Sequence, residues 1–129
     1  MKLSMSMGEA IDILSILEVK KSQGLEVDDR YEITRQEVES AVPDPDEIYG
    51  LSALVDINGR LWDVEDARRE ARDRLNGKNG PLDNAHARIA CINLDGEVIR
   101  YNKLRAELKR EINEHYGSAL VEEKRYYGE

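Results

Sequence analysis

With 129 residues, the chain has room for one domain with its own core and is too short for two of ordinary size. Charged residues make up 36% of it, hydrophobic residues 40%, and Phe is absent, a mix suited to helices with wide solvated faces and poor for a β-sandwich. A net charge of −8 disfavours nucleic acid as a partner, and the lone Cys91 excludes both an intramolecular disulfide and a cysteine-based zinc site.

The charge is uneven. Residues 1–50 carry 5 basic and 12 acidic groups, whereas residues 51–129 carry 14 and 15, so the second part could hold a local anion site. No apolar run reaches the roughly 20 residues needed to cross a bilayer. The stretch Ile11–Val19 is interrupted by Asp12, Ser15 and Glu18 and does not read as a signal peptide. A cytoplasmic protein with no membrane partner is expected.

The first periodic segment runs from Gly8 to about Lys21. At 100° per residue, Ala10, Ile11, Ile13, Leu14, Ile16 and Leu17 cover an apolar arc wider than half a helix. Ser6 with Glu9 has capping-box spacing, and Gly24 marks the end. A more polar helix follows over about Val27–Ala41, with Tyr31, Val38 and Ile33 expected inward. Pro43-Asp44-Pro45 then predicts a connection, with Asp44 as cap and Pro45 at the first helical position.

The next segment, about 46–75, carries two apolar seams at 3,4 spacing. One is Leu54, Ile57, Leu61, Val64, Arg68, Ala71 and Leu75; the other is Ile48, Leu51, Val55, Asn58, Trp62, Glu65 and Arg69. Residues 76–81 form a helix stop. The last long segment, about 82–116, repeats the pattern. Its first seam is Ala87, Cys91, Leu94, Val98, Tyr101, Arg105, Leu108 and Ile112, and its second is Leu82, Ala85, Ile89, Ile92, Gly96 and Ile99. Gly117 suits a C-terminal cap, and residues 117–129 are expected to form a tail.

Asn58-Gly59 and Asp95-Gly96 are hairpin dipeptides flanked by apolar residues. Heptad spacing nevertheless continues through both without a phase break, which predicts uninterrupted helices. The expected fold is all-α: a single antiparallel helical bundle over residues 1–129, with the two long segments as its spine. Double seams offer more apolar surface than the shorter helices can cover, which predicts a homo-oligomer.

The blocks Gly8–Lys20, Leu61–Asp66, Lys109–Asn113 and Gly117–Lys124 resemble an uncharacterised family of short helical proteins of bacteria and their viruses. That resemblance implies an all-helical intracellular protein and carries over no catalytic residues.

Signatures of phosphate loops, zinc proteases, EF-hands and serine hydrolases are absent. His86 and His115 lie 29 positions apart and read as surface or boundary residues; Cys91, in an apolar seam, reads as a buried inert thiol. The informative groups are polar residues inside seams. Asn58, Trp62, Glu65 and Arg69, with Asp66 beside them, occupy the second seam of the first long segment. Asn102, Lys109 and Asn113 share a face of the last one, with Arg105 about 60° away and Tyr101 nearby.

Brought together, these residues other than Asp66, nine in all, could form a pocket in which Trp62 or Tyr101 stacks on a planar group while Arg69, Arg105 and Lys109 neutralise an anion. The same groups could instead form an internal network that sets register. Glu9, Glu18 and Lys20, in or beside the first apolar arc, are expected either to pair with Arg68 or Arg105 or to border an oligomer interface. A non-enzymatic binding or regulatory protein for an anionic small molecule such as a nucleotide is expected, with no cofactor. Glu70-x-x-Asp73 and Glu111-x-x-Glu114 keep open a magnesium-dependent nucleoside triphosphate pyrophosphohydrolase. A purely structural interaction module is the third alternative.

Overall fold

A computed structural model describes residues 5–77 and 80–117. Among these there are four helices and no strand: α1 (Met7–Ser22), α2 (Asp28–Ala41), α3 (Leu51–Asn76) and α4 (Pro81–Tyr116). α1 packs against all three other helices, while α2 packs on α1 alone. The sequence patterns of the two long helices suggest a spine, and their mutual contact is indeed the longest. The centre of the core, however, is the short N-terminal helix.

The reason lies in the composition of α1. Its apolar arc is so wide that Ala10, Ile11, Leu14, Leu17 and Val19 are all buried, and they can be covered only from several sides. Ile11 and Leu14 meet Leu54 of α3, Ile112 of α4 and Val38 of α2 in one cluster. At the start of α1, Ser6 Oγ accepts from the Glu9 amide and Ser6 carbonyl oxygen from Ala10. The Gly8 amide donates to Asn113 Oδ1 at 2.7 Å, so α4 completes the cap. A side chain at Gly8 would bring its Cβ within 2.5 Å of the Lys109 carbonyl oxygen. Only glycine lets the two backbones come this close.

In α2, Tyr31 and Val38 face α1 as expected, but Ile33 is exposed. Two residues on from Tyr31 is 200° around the helix, which points Ile33 away from α1. α3 begins at Leu51 rather than Asp46. Asp44 does form a local turn, accepting from the Asp46 amide through Oδ1 and from the Glu47 amide through its carbonyl. That turn does not grow into a helix, because the Tyr49 amide is drawn to Tyr116 Oη and Gly50 adopts φ +82°. Gly50 also lies beneath Ile112, whose side chain leaves no room for a Cβ.

Both Asn-Gly and Asp-Gly dipeptides lie within uninterrupted helix. Asn58 uses its side chain on α1 instead of closing a turn. α4 ends at Gly117, φ +73°, whose amide reaches the Asn113 and Glu114 carbonyls. The expected tail after Gly117 lies outside the described residues. Contacts between α3 and α4 link Arg74 with Asp83, Arg68 with Asp95, and Gly50 with Ile112. The first seam of each long helix is turned inward along this contact. The second seam of α4 is not: Leu82, Ala85, Ile89, Ile92, Gly96 and Ile99 are all exposed. Cys91 is partly exposed rather than buried.

Candidate functional site

The seam pattern places Asn58 of α3 against the middle of α1. There Asp12, 1% exposed, is the most deeply buried charge described. Arg105 of α4 reaches it as a fork, Nε to Oδ1 at 2.9 Å and a terminal nitrogen to Oδ2 at 2.5 Å. Asn58 of α3 donates through Nδ2 to Asp12 Oδ1 at 3.0 Å and to Ser15 Oγ at 2.7 Å. The Ser15 hydroxyl in turn donates to the Asp12 carbonyl at 2.6 Å. Three helices are thereby tied through one carboxylate. The hydrogen bond to Asp12 raises the Arg105 pKa above the ordinary arginine value, so the guanidinium stays charged at any working pH.

Beside this network opens a cleft of about 490 Å³ between the C-terminal half of α1, the middle of α3 and α4. Asn58, Trp62, Glu65, Arg69, Asn102 and Arg105, all singled out from sequence, line it. So do Lys20, Asp66 and Arg68, over an apolar floor of Ile16, Val19, Leu61 and Val98. Arg68 bridges Glu65 at 2.7 Å and Asp95 at 2.9 Å, and the Glu65 hydrogen bond leads the effects that raise its pKa. Arg69 pairs with Asp66 at the open rim. Lys20 has no ion pair among the described residues.

The other three sequence-predicted residues lie elsewhere. Lys109 pairs with Glu9 at 2.6 Å, and Asn113 caps α1. Tyr101 lies under the Arg100 guanidinium and, with Asp56, raises the pKa of Arg60. These residues share a helix with Arg105, but the cleft occupies only the part of α4 opposite Trp62.

Of the two alternatives for Glu9 and Glu18, pairing with Arg68 or Arg105 is not found among the described residues: Arg105 holds Asp12, and Arg68 holds Glu65 and Asp95. A legible signal was present: Asp12 and Ser15 stand three residues apart inside the apolar arc, and a carboxylate there needs a charged partner. Glu70 and Asp73 lie near the end of α3 that meets the start of α4, while Glu111 and Glu114 lie where α4 meets Gly50. Within one chain the two carboxylate pairs therefore do not converge. No group of three or more His, Cys, Asp or Glu side chains suited to a metal ion occurs among the described residues. Nor, among them, is any helix long and apolar enough to cross a membrane. His115 stacks on Tyr49 at 4.1 Å, away from the cleft.

No family model, curated protein or solved structure matches the chain.

Proposed function

We propose that the chain is a non-enzymatic intracellular binding or regulatory protein. In this reading it is a homo-oligomeric antiparallel bundle that takes an anionic small molecule, such as a nucleotide, in the cleft between α1, α3 and α4. One observation carries the reading: four cationic side chains, Lys20, Arg68, Arg69 and Arg105, converge with two carboxylates, Glu65 and Asp66, around Trp62. The cations differ in availability. Arg105 is held by buried Asp12 and forms a fixed wall. Arg69 is 66% exposed, and its pair with Asp66 is of a kind worth about 0–1 kcal/mol, so a phosphate could displace the carboxylate at little cost. Trp62 supplies a planar surface for a base.

A register-setting network without a ligand is the second reading. It is favoured by the carboxylate partner that each arginine of the cleft already has in the chain. Two measurements separate the readings. Trp62 is the only tryptophan, so its fluorescence reports the cleft directly. Titration with ADP should give a saturable change that Arg69→Ala weakens at least tenfold while the helix content is kept. Native mass spectrometry of protein as purified should show added mass of a few hundred daltons per site. A silent titration together with a bare polypeptide mass would refute the binding reading and leave the network.

A further inference from the structure

The second seam of α4 is an apolar stripe that no other described residue covers. Leu82, Ile89, Ile92 and Ile99 are 70%, 56%, 65% and 71% exposed, and Ala85 and Gly96 complete the stripe at 3,4 spacing. The next position in phase, Lys103, is charged and closes it. In a monomer this arrangement leaves four large side chains in water along one line, which monomeric proteins seldom do.

We infer that this stripe docks against the same stripe of a second copy, with the two α4 helices antiparallel about a two-fold axis between Ala90 and Cys91. The inference deepens the oligomer half of the reading above, and rests on it, by naming the partner surface and its register. Two features of the chain carry it. The first is size order, which along the stripe reads large, small, large, large, small, large and is the same from either end. About that axis Leu82 faces the partner's Ile99, Ala85 faces the partner's Gly96, and Ile89 faces the partner's Ile92. The two small layers let the helix axes come within about 8 Å while the four large layers interdigitate.

The second feature is charge. Arg88 and Asp95 flank the stripe on one side; Asp95 holds Arg68 of its own chain at 2.9 Å but stays 55% exposed, and in this register the partner's Arg88 comes within about 3 Å of its level along the axis, twice over by symmetry. Opposite charges therefore meet on the flank, and antiparallel helices also place their dipoles favourably.

Sedimentation velocity on the full chain at micromolar concentration, with far-UV circular dichroism as the check on folding, tests the interface. The wild type should sediment as an oligomer. Ile92→Glu should shift it to monomer with unchanged helix content, since Ile92 contributes nothing to the core. Ile33→Glu, at an exposed position on α2, should leave the mass unaltered. Register is read by oxidation in a Cys91→Ser background. Leu82→Cys combined with Ile99→Cys should cross-link two chains. Leu82→Cys alone should not, because the two copies of residue 82 stand about 25 Å apart.

A monomeric wild type overturns both this interface and the oligomer reading. An oligomer whose mass Ile92→Glu leaves intact overturns the interface alone. Cross-linking by Leu82→Cys alone overturns the antiparallel register.

Discussion

Truncating Arg105 to alanine tests the central claim, that one carboxylate ties three helices together. Asp12 is 1% exposed and accepts two hydrogen bonds from Arg105 and one from Asn58. Arg105→Ala removes the first two and leaves a buried negative charge held by an amide alone. Stranding a buried charge in this way costs about 3–5 kcal/mol. Arg105 is itself 29% exposed, so water can reach part of the gap, and the lower end of that range is expected. At roughly 3–5 °C per kcal/mol for a chain of this size, Tm should fall by on the order of 10 °C. Urea unfolding followed by circular dichroism gives the free energy directly. The double variant Asp12→Asn with Arg105→Ala keeps the same truncation but strands no charge, and should recover much of the loss, which a mere loss of packing around Arg105 would not allow. A single variant within about 0.5 kcal/mol of wild type would show that Asp12 does not depend on Arg105, as would a double variant less stable than the single one.

Other substitutions probe the close approach and the cap. Gly8→Ala should destabilise by roughly 1–3 kcal/mol, because the new methyl meets the Lys109 carbonyl, which cannot move without α4. Gly59→Ala, also within a helix but with no atom within 4 Å of its Cβ, should stabilise by up to about 1 kcal/mol. The two urea midpoints should therefore shift in opposite directions. Ser6→Ala removes the acceptor for the Glu9 amide and should cost about 1 kcal/mol in the same measurement.

Helix positions were legible because they depend on local order. The 3,4 spacing of α3 and α4, the Ser6 cap, and the stops at Gly24 and Gly117 all follow from residues within a few positions of one another. Periodicity also outweighed the hairpin dipeptides, since a long apolar repeat keeps its phase through one glycine. Much of the candidate site was legible too: a polar break in the second seam of α3 put Asn58, Trp62, Glu65 and Arg69 on one face, and they line one cleft. The start of α3 was misplaced because Pro43-Asp44-Pro45 opens a turn whose continuation is decided by Tyr116, 67 residues beyond Tyr49.

What the sequence determined by itself, then, was which residues share a helix face, because 100° per residue is a property of the backbone. Folding alone settled which face meets which. It made α1 the centre of the core, chose Asp12 over Glu9 and Glu18 for Arg105, and drew Lys109 and Asn113 to the start of α1 instead of the cleft. It also left one seam of α4 exposed while its twin was turned inward and at least half-covered. Two seams of equal apolar character are indistinguishable along the chain. Which one is covered depends on where a second helix finds room for its backbone, and at the far end of α4 Gly8 and Gly50 give that room, beside Lys109 and beneath Ile112.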